Sequence, residues 1–171
     1  MNLKKLALAL AAVIVLLSAW LAWLLLPHDD TIPLMPKDAP VFARDHIQIH
    51  RADGNAIGID VELATTPREA AFGLMFRRKI DPQTGMLFVW DTGDHPVSMW
   101  MKNTYVALDM LFIRHDGVIT KIITHAMPHD LTPLPSDDPV HAVLEIKAGE
   151  ADRLGLKVGD KVDFWAFGKG F

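Results

Sequence analysis

The sequence predicts a mainly β domain, a small sandwich or jelly-roll-like barrel with two short helices, preceded by one N-terminal transmembrane helix. Three observations support this fold class. Short segments in which apolar and polar residues alternate recur between turn-forming residues. Two segments carry local signals for the start and end of a helix. A 21-residue uncharged segment lies close to the amino terminus.

The uncharged segment runs from Leu6 to Leu26 and follows Lys4 and Lys5. A helix of this length spans the roughly 30 Å hydrocarbon core of a bilayer. A cleaved signal has a shorter apolar region and small residues at its cleavage site, where this chain has Trp23. We therefore expect residues 1–26 to anchor the protein in the cytoplasmic membrane, with the domain on the periplasmic or extracellular side. Cleavage of the segment would make the protein secreted.

The rest of the chain is expected to contain a linker and one domain. Residues 27–40 include four prolines, which favour an extended, semi-rigid spacer. Residues 41–171 are numerous enough to bury a core, and the absence of Cys excludes disulfides and a cysteine nucleophile. The chain has 17 Lys and Arg against 21 Asp and Glu, with no basic stripe. We therefore expect no nucleic-acid partner.

Eight segments of the domain have the composition of strands. Asp53-Gly54-Asn55 and Asp116-Gly117 are turn sequences, and the second predicts a tight hairpin. The segment 128–139 holds four Pro and three Asp, so it is expected to be a loop. The predicted strands cover residues 46–51, 57–64, 86–90, 97–104, 107–114, 118–125, 140–146 and 161–166.

Both helices are predicted from local capping signals. Thr66 can cap a helix that begins at Pro67, and Glu69 completes a capping box. Gly73 is expected to end this helix after about two turns. A second helical turn is expected at Glu150–Leu154.

Two acidic residues stand between apolar neighbours. Asp109 lies between Leu and Met, and Glu145 lies between Leu and Ile. A buried carboxylate needs a charged or hydrogen-bonding partner, so pairing with Arg68 or Arg77 is the simpler interpretation. The alternative is a cleft in which such polar groups orient a ligand. The candidate ligand-binding residues are Arg68, Arg77, Trp100, Lys102, Asn103, Asp109 and Glu145.

A metal site is a weaker hypothesis. Met99 and Met101 alternate along one predicted strand, and thioether ligands suit copper. Methionine more often fills gaps in a core, however. We therefore predict no metal site and no cofactor.

Seven groups of residues in the domain form a distinctive set. They are Arg68 with Gly73-Leu74-Met75-Phe76-Arg77, Gly85-Met86-Leu87-Phe88, Trp100-Met101-Lys102-Asn103-Thr104, Leu108-Asp109 with Phe112, Asp116-Gly117, Val143-Leu144-Glu145 with Ala148-Gly149, and Gly155-Leu156-Lys157-Val158-Gly159-Asp160. In order and spacing, over about residues 58–164, this set resembles one known family, the domain of unknown function (DUF) 192. The resemblance implies a compact, mostly β domain of sandwich or jelly-roll type. It also implies exported or membrane-anchored members, and it supplies no established activity, cofactor or catalytic residue.

Three functions remain open on the sequence. The first is a non-enzymatic, membrane-tethered domain that binds a small molecule, a glycan or an envelope protein near Trp100, Lys102 and Asn103. The second is an envelope scaffold whose partner docks on the loop 128–139, which would expose an apolar patch. The third is an enzyme that uses the carboxyl group of Asp109 or Glu145 for acid–base chemistry.

Overall fold

Seven of the strands form one sheet, and a two-stranded ribbon lies beside it. The computed structural model describes residues 33–165. Within this range the elements, in chain order, are β1 (Ala43–His50), β2 (Ala56–Ala64), α1 (Pro67–Phe72), β3 (Thr84–Val89), β4 (Ser98–Met99), β5 (Leu108–Ile113), β6 (Ile119–Ala126), β7 (Leu134–Pro135), β8 (Ala142–Lys147), α2 (Glu150–Leu154) and β9 (Lys161–Asp163).

The main sheet curls into a half-barrel. Its strand order is β6-β5-β8-β3-β2-β1-β9, and β4 pairs with β7 in the separate ribbon. The two edges of the sheet meet at one end, where Val118 forms a bridge with Lys161 and the Gly159 N–H donates to the Ile119 carbonyl at 2.9 Å. The mainly β class with two short helices is therefore confirmed. The sandwich alternative is wrong, because the long strands curl within one sheet instead of packing as two.

Each face of the sheet carries its own apolar cluster. The face that we call the α2 face buries side chains such as Ile47, Ile59 and Leu111, together with Ala151 and Leu154 of α2. The opposite face, the α1 face, buries a second set that includes several methionines and phenylalanines. Its members include Leu74, Met86, Phe88, Met101, Met110, Phe112 and Val143, with Ala70 of α1 packed against them. Because both faces of the sheet are covered, successive residues of a strand are buried although their side chains point to opposite faces.

The first helix forms as its capping signals predict. The Glu69 N–H donates to the Thr66 hydroxyl at 3.3 Å, and the Thr66 N–H donates to the Glu69 carboxylate at 2.9 Å. These bonds satisfy backbone donors that the first helical turn leaves without partners. The helix ends at Gly73, whose φ of 52° is costly for residues with a side chain. The short helix α1 is thereby set in place across the α1 face.

The strand predicted at 97–104 is wrong over most of its length. Only Ser98–Met99 is extended, where it pairs with β7 inside the predicted loop 128–139. The chain then turns, because the Thr104 N–H donates to the Met101 carbonyl at 3.2 Å and Asn103 adopts a φ of 51°. This turn, residues 100–104, carries three of the candidate residues, namely Trp100, Lys102 and Asn103.

The predicted membrane anchor at residues 1–26 lies outside the described residues, as does the first part of the linker. Among residues 33–165, no helix is long and apolar enough to cross a bilayer.

Candidate functional site

The seven candidate residues do not form one cluster. Trp100, Lys102 and Glu145 line a common pocket, and Asn103 lies beside it. Arg77 lines a different cleft. Arg68 lies on the surface, and Asp109 is buried on the α2 face. Folding therefore separates the seven candidate positions into four environments.

The pocket that contains Glu145, which we call the Glu145 pocket, has a volume of about 130 Å³. It lies on the α1 face between α1, β3, β8, β4 and the turn 100–104. Apolar and aromatic side chains form most of its wall. The lining residues are Ala70, Ala71, Phe72, Gly73, Leu74, Met75, Phe88, Trp90, Val97, Ser98, Met99, Trp100, Lys102, Thr104 and Glu145.

Glu145 is the most perturbed group of this pocket. It lies on β8 opposite Met86 of β3 and Met110 of β5, so two methionines flank its side chain. Its residue surface is 4% exposed, and no hydrogen bond or ion pair joins its carboxyl to another described residue. Burial raises the pKa of this carboxyl to about 8, because the charged form loses its hydration. At neutral pH most of the molecules therefore hold a neutral Glu145.

An exposed aromatic and a lysine form the rim of the pocket. Trp100 is 51% exposed, although it is a large apolar residue. The Lys102 ammonium nitrogen lies 5.3 Å from the centroid of the Trp100 ring, within the range of a cation–π contact. At the rim, the face of the Trp100 ring therefore contacts a positive charge, the Lys102 ammonium group.

Asn103 shapes the wall of the pocket through its backbone and its amide. Its carbonyl accepts a hydrogen bond from the Phe76 N–H at 2.9 Å, and its side-chain amide donates to the Met75 sulfur at 3.8 Å. Asparagine tolerates the positive φ of this position better than most residues. Asn103 thus joins the turn 100–104 to the turn that follows α1.

Asp109 has a structural role on the other side of the sheet. One carboxylate oxygen accepts the His125 N–H at 2.9 Å, and the other accepts the Ala151 N–H at 3.0 Å. These bonds connect β5 to the end of β6 and to the first turn of α2. The expected pairing of Asp109 or Glu145 with Arg68 or Arg77 is wrong. The backbone supplies the partners of Asp109, and Glu145 has no arginine beside it.

The two arginines pair elsewhere. Arg77 forms an ion pair with Glu62 of β2, which also lies 3.7 Å from the exposed Arg44. The Arg68 guanidinium donates to the Asp38 carbonyl at 2.6 Å. Strand pairing selects Glu62 as the partner of Arg77, since β2 lies beside β3 and carries Glu62 towards the segment that follows α1.

The cleft at Arg77 is larger than the Glu145 pocket, with a volume of about 670 Å³. Its basic groups are largely matched by acidic ones: Lys79 lies 3.1 Å from Asp81, and His46 lies 2.7 Å from Asp60. The Arg77 Nε is buried without a hydrogen-bond partner. Within the described part of the chain, the charged side chains that line this cleft nevertheless all have a hydrogen-bonding or oppositely charged partner, so the cleft offers less specific chemistry than the Glu145 pocket.

Sequence reasoning missed most of the pocket wall. Phe88 and Trp90 are separated by two positions at the end of β3 and stack with their ring centroids 6.3 Å apart. Their spacing predicts that they share one face of a strand. No local signal shows that this face meets Glu145, because the sequence distance from β3 to β8 exceeds fifty residues. Among the described residues, no group of three His, Cys, Asp or Glu is arranged to hold a metal ion.

The fold and the pocket define a small half-barrel β domain that buries the Glu145 carboxyl beneath an aromatic rim, without a partner among residues 33–165. The chain belongs to the DUF192 family, described as "Uncharacterized ACR", which matches residues 48–164. The family resemblance inferred from the sequence is confirmed.

Two solved structures are similar to this chain over the domain. One is a Sinorhizobium meliloti 1021 protein described as a candidate transcription regulator, with 43% identity and a TM-score of 0.70, over 71% of this chain and 94% of that chain. The other is a protein of unknown function from Novosphingobium aromaticivorans DSM 12444, with 37% identity and a TM-score of 0.69, over 77% of this chain and 91% of that chain. No curated protein matches the sequence.

Proposed function

We propose that this domain is a non-enzymatic ligand-binding module and that its ligand occupies the Glu145 pocket. The observation that carries the proposal is the buried Glu145 carboxyl, which lines an open pocket and has no partner among the described residues. Buried polar groups in native proteins are normally hydrogen-bonded, so an exception at a pocket favours a binding role. The exposed Trp100 at the rim supplies a contact surface of the kind that dominates binding energy.

Binding is better supported than acid–base catalysis. An enzyme of the expected kind would use a carboxyl together with a group that stabilises an anion. Asp109 lies on the α2 face and Arg77 pairs with Glu62, so neither reaches Glu145. Lys102 is the remaining basic group of the pocket, and it contacts Trp100.

The scaffold hypothesis receives less support from the loop 128–139. Leu131 is 62% exposed, as a docking surface requires. Leu134, however, packs against the cluster of the α1 face through β7. A single exposed leucine is common on protein surfaces and does not define an interface.

We further propose that residues 1–26 tether the module to the cytoplasmic membrane, with its ligand outside the cytoplasm. The support is the uncharged segment from Leu6 to Leu26 behind Lys4 and Lys5. The Sinorhizobium protein is described as a candidate transcription regulator. Binding to DNA is less consistent with the net charge of −4 of this chain.

The proposal is tested on the full chain in detergent micelles, with ¹³C-methyl labelling of methionine. The Met75 and Met99 methyl groups lie in the pocket wall and report on its occupancy. The ligand panel contains sugars, cell-wall fragments, organic acids, organic amines and metal ions. We expect one class to shift both methyl signals saturably, and Glu145→Gln or Trp100→Ala to weaken its binding at least tenfold.

Trp165→Ala is the matched control for the rim, because Trp165 is 59% exposed and lies outside the pocket. It should bind the same ligand with unchanged affinity. A panel that moves neither methyl signal, or a ligand that all three variants bind equally, would contradict the proposed site.

A further inference from the structure

The charges of the Glu145 pocket are few and lie at different depths. Among its lining residues, Glu145 and Lys102 are the ones that carry a titratable side chain. Glu145 is buried, whereas Lys102 is exposed at the rim. The titratable group that a deeply inserted ligand meets is therefore an acid, not a base.

The walls around this acid are suited to positive charge. An aromatic ring face attracts cations, and Trp100 already holds the Lys102 ammonium at 5.3 Å. Trp90 and Phe88 add further aromatic surface, and Met75 and Met99 contribute polarizable thioethers. An anionic group would meet repulsion from an ionised Glu145 and from the same ring faces.

We propose that the ligand inserts a small organic cation, an ammonium or guanidinium group, which pairs with the Glu145 carboxylate and lies against the aromatic wall. This inference rests on the proposed function of the pocket and assigns its ligand class. A volume of about 130 Å³ is small beside the roughly 300–1,000 Å³ of sites for drug-sized ligands. The site therefore accommodates one charged group with a short apolar stem.

Binding of such a cation is coupled to loss of a proton from Glu145. The neighbours of Glu145 from β3 and β5 are Met86 and Met110, and α1 presents Ala70 and Ala71 to the pocket. Besides Glu145, the described residue that presents a titratable side chain to the pocket is Lys102, in the turn 100–104. The carboxyl is mainly neutral below pH 8, so the bound cation displaces its proton to solvent. Affinity consequently rises about tenfold per pH unit below pH 8 and levels off above it.

Three probes of similar shape test this inference on the full chain in detergent micelles: propylguanidinium, propylurea and butyrate. A guanidinium group stays charged across the pH range, so only the protein titrates. Calorimetry at pH 6 and pH 8 measures affinity, and the Met75 and Met99 methyl signals locate the probe. We expect propylguanidinium to bind in the pocket, more tightly at pH 8 by roughly fifty-fold. Parallel titrations in buffers of different ionisation enthalpy should show proton release at pH 6.

Variants separate the contribution of each charge. Glu145→Gln, which preserves shape, should weaken propylguanidinium at least tenfold at pH 8 and leave propylurea unchanged. Lys102→Met should strengthen propylguanidinium, because the competing ammonium is removed from Trp100. Lys157→Met is the control, since Lys157 is exposed and lies outside the pocket.

The outcomes distinguish the two proposals. Tighter binding of propylurea or butyrate in the pocket would overturn the cation inference and leave the ligand-binding function standing. An affinity for propylguanidinium that does not rise with pH would overturn it as well, and this measurement needs no variant. If none of the three probes moves the methyl signals, the cation inference is rejected, and the wider ligand panel decides the proposed function separately.

Discussion

Asp109 and Glu145 lie on adjacent strands, one position apart in register, yet their carboxyl groups face opposite sides of the sheet. Asp109 is opposite Ile146 and Glu145 is opposite Met110 in the β5–β8 pairing. Both residues are buried. Asp109 accepts two backbone N–H groups, whereas Glu145 has no partner among the described residues. One carboxylate is therefore part of the framework, and the other remains free to interact with a ligand.

The stability of the protein should depend on the protonation of Glu145. Burial raises the pKa of this carboxyl to about 8 in the folded state, against 4.5 for an ordinary glutamate, so the folded state retains a proton that the unfolded chain loses. The free energy of unfolding should fall between about pH 4.5 and pH 8, by about 1 kcal/mol per pH unit at the steepest point. Glu145→Gln should remove this contribution and be more stable than the wild type at pH 8. Denaturant unfolding of both proteins at pH 5, 6.5 and 8 measures the difference, and parallel stability curves would contradict the assignment.

Asp109→Asn should destabilise the fold without altering the pocket. An amide presents one acceptor oxygen, so either the His125 or the Ala151 N–H would lose its partner. Leaving one buried donor unsatisfied costs about 1–3 kcal/mol, and this range is the expected loss in free energy of unfolding. Asp152→Asn, on the exposed side of α2, is the comparison and should change stability by less than about 0.5 kcal/mol. Equal losses in the two variants would show that the two backbone bonds do not matter.

Gly85→Ala should disturb β3 beneath the pocket. A Cβ at this position would lie 2.3 Å from the Glu145 carbonyl oxygen and 2.9 Å from a methyl of Ile146. Because the first contact is with backbone, the strands β3 and β8 must separate, and we expect a loss of at least about 2 kcal/mol. Gly58→Ala on β2 would instead place its Cβ 2.7 Å from the half-exposed His46 ring, a side chain rather than backbone, so its loss should be smaller than that of Gly85→Ala. Thermal unfolding of the two variants compares them directly.

Glu62→Gln tests the ion pair in the larger cleft. Glu62 and Arg77 are both largely shielded from solvent, so loss of the charge should cost about 1–2 kcal/mol in free energy of unfolding. Arg44 is 82% exposed and 3.7 Å from Glu62, so Arg44→Ala should cost less than about 1 kcal/mol. Added salt should reduce the loss in free energy of unfolding caused by Arg44→Ala more than the loss caused by Glu62→Gln, because exposed charges are screened more strongly. A larger loss for Arg44→Ala would contradict this ranking.

Local chemistry explains which elements the sequence predicted well. The capping box of α1 involves residues three positions apart, so it can be inferred without knowing the rest of the chain. Alternation along β1 and β2 likewise reflects the geometry of a single strand. The segment 97–104 failed because its apolar character comes from packing: Met101 is fully buried in the cluster of the α1 face from within a turn.

The sequence by itself determined the mainly β class, the family, the capped helix and the unusual position of Glu145 between apolar neighbours. It could not determine which residues meet Glu145, because that depends on strand order and register across more than fifty residues. A shift of β8 by one position would turn Glu145 to the α2 face, and the same shift of β5 would turn Asp109 towards the pocket. Only the tertiary structure decided that Asp109 is held by the backbone, that the arginines pair elsewhere and that Glu145 lies in a pocket with Trp100 and Lys102. The physical reason is that side-chain identity is local, whereas the burial and charge environment of a side chain depend on distant strands.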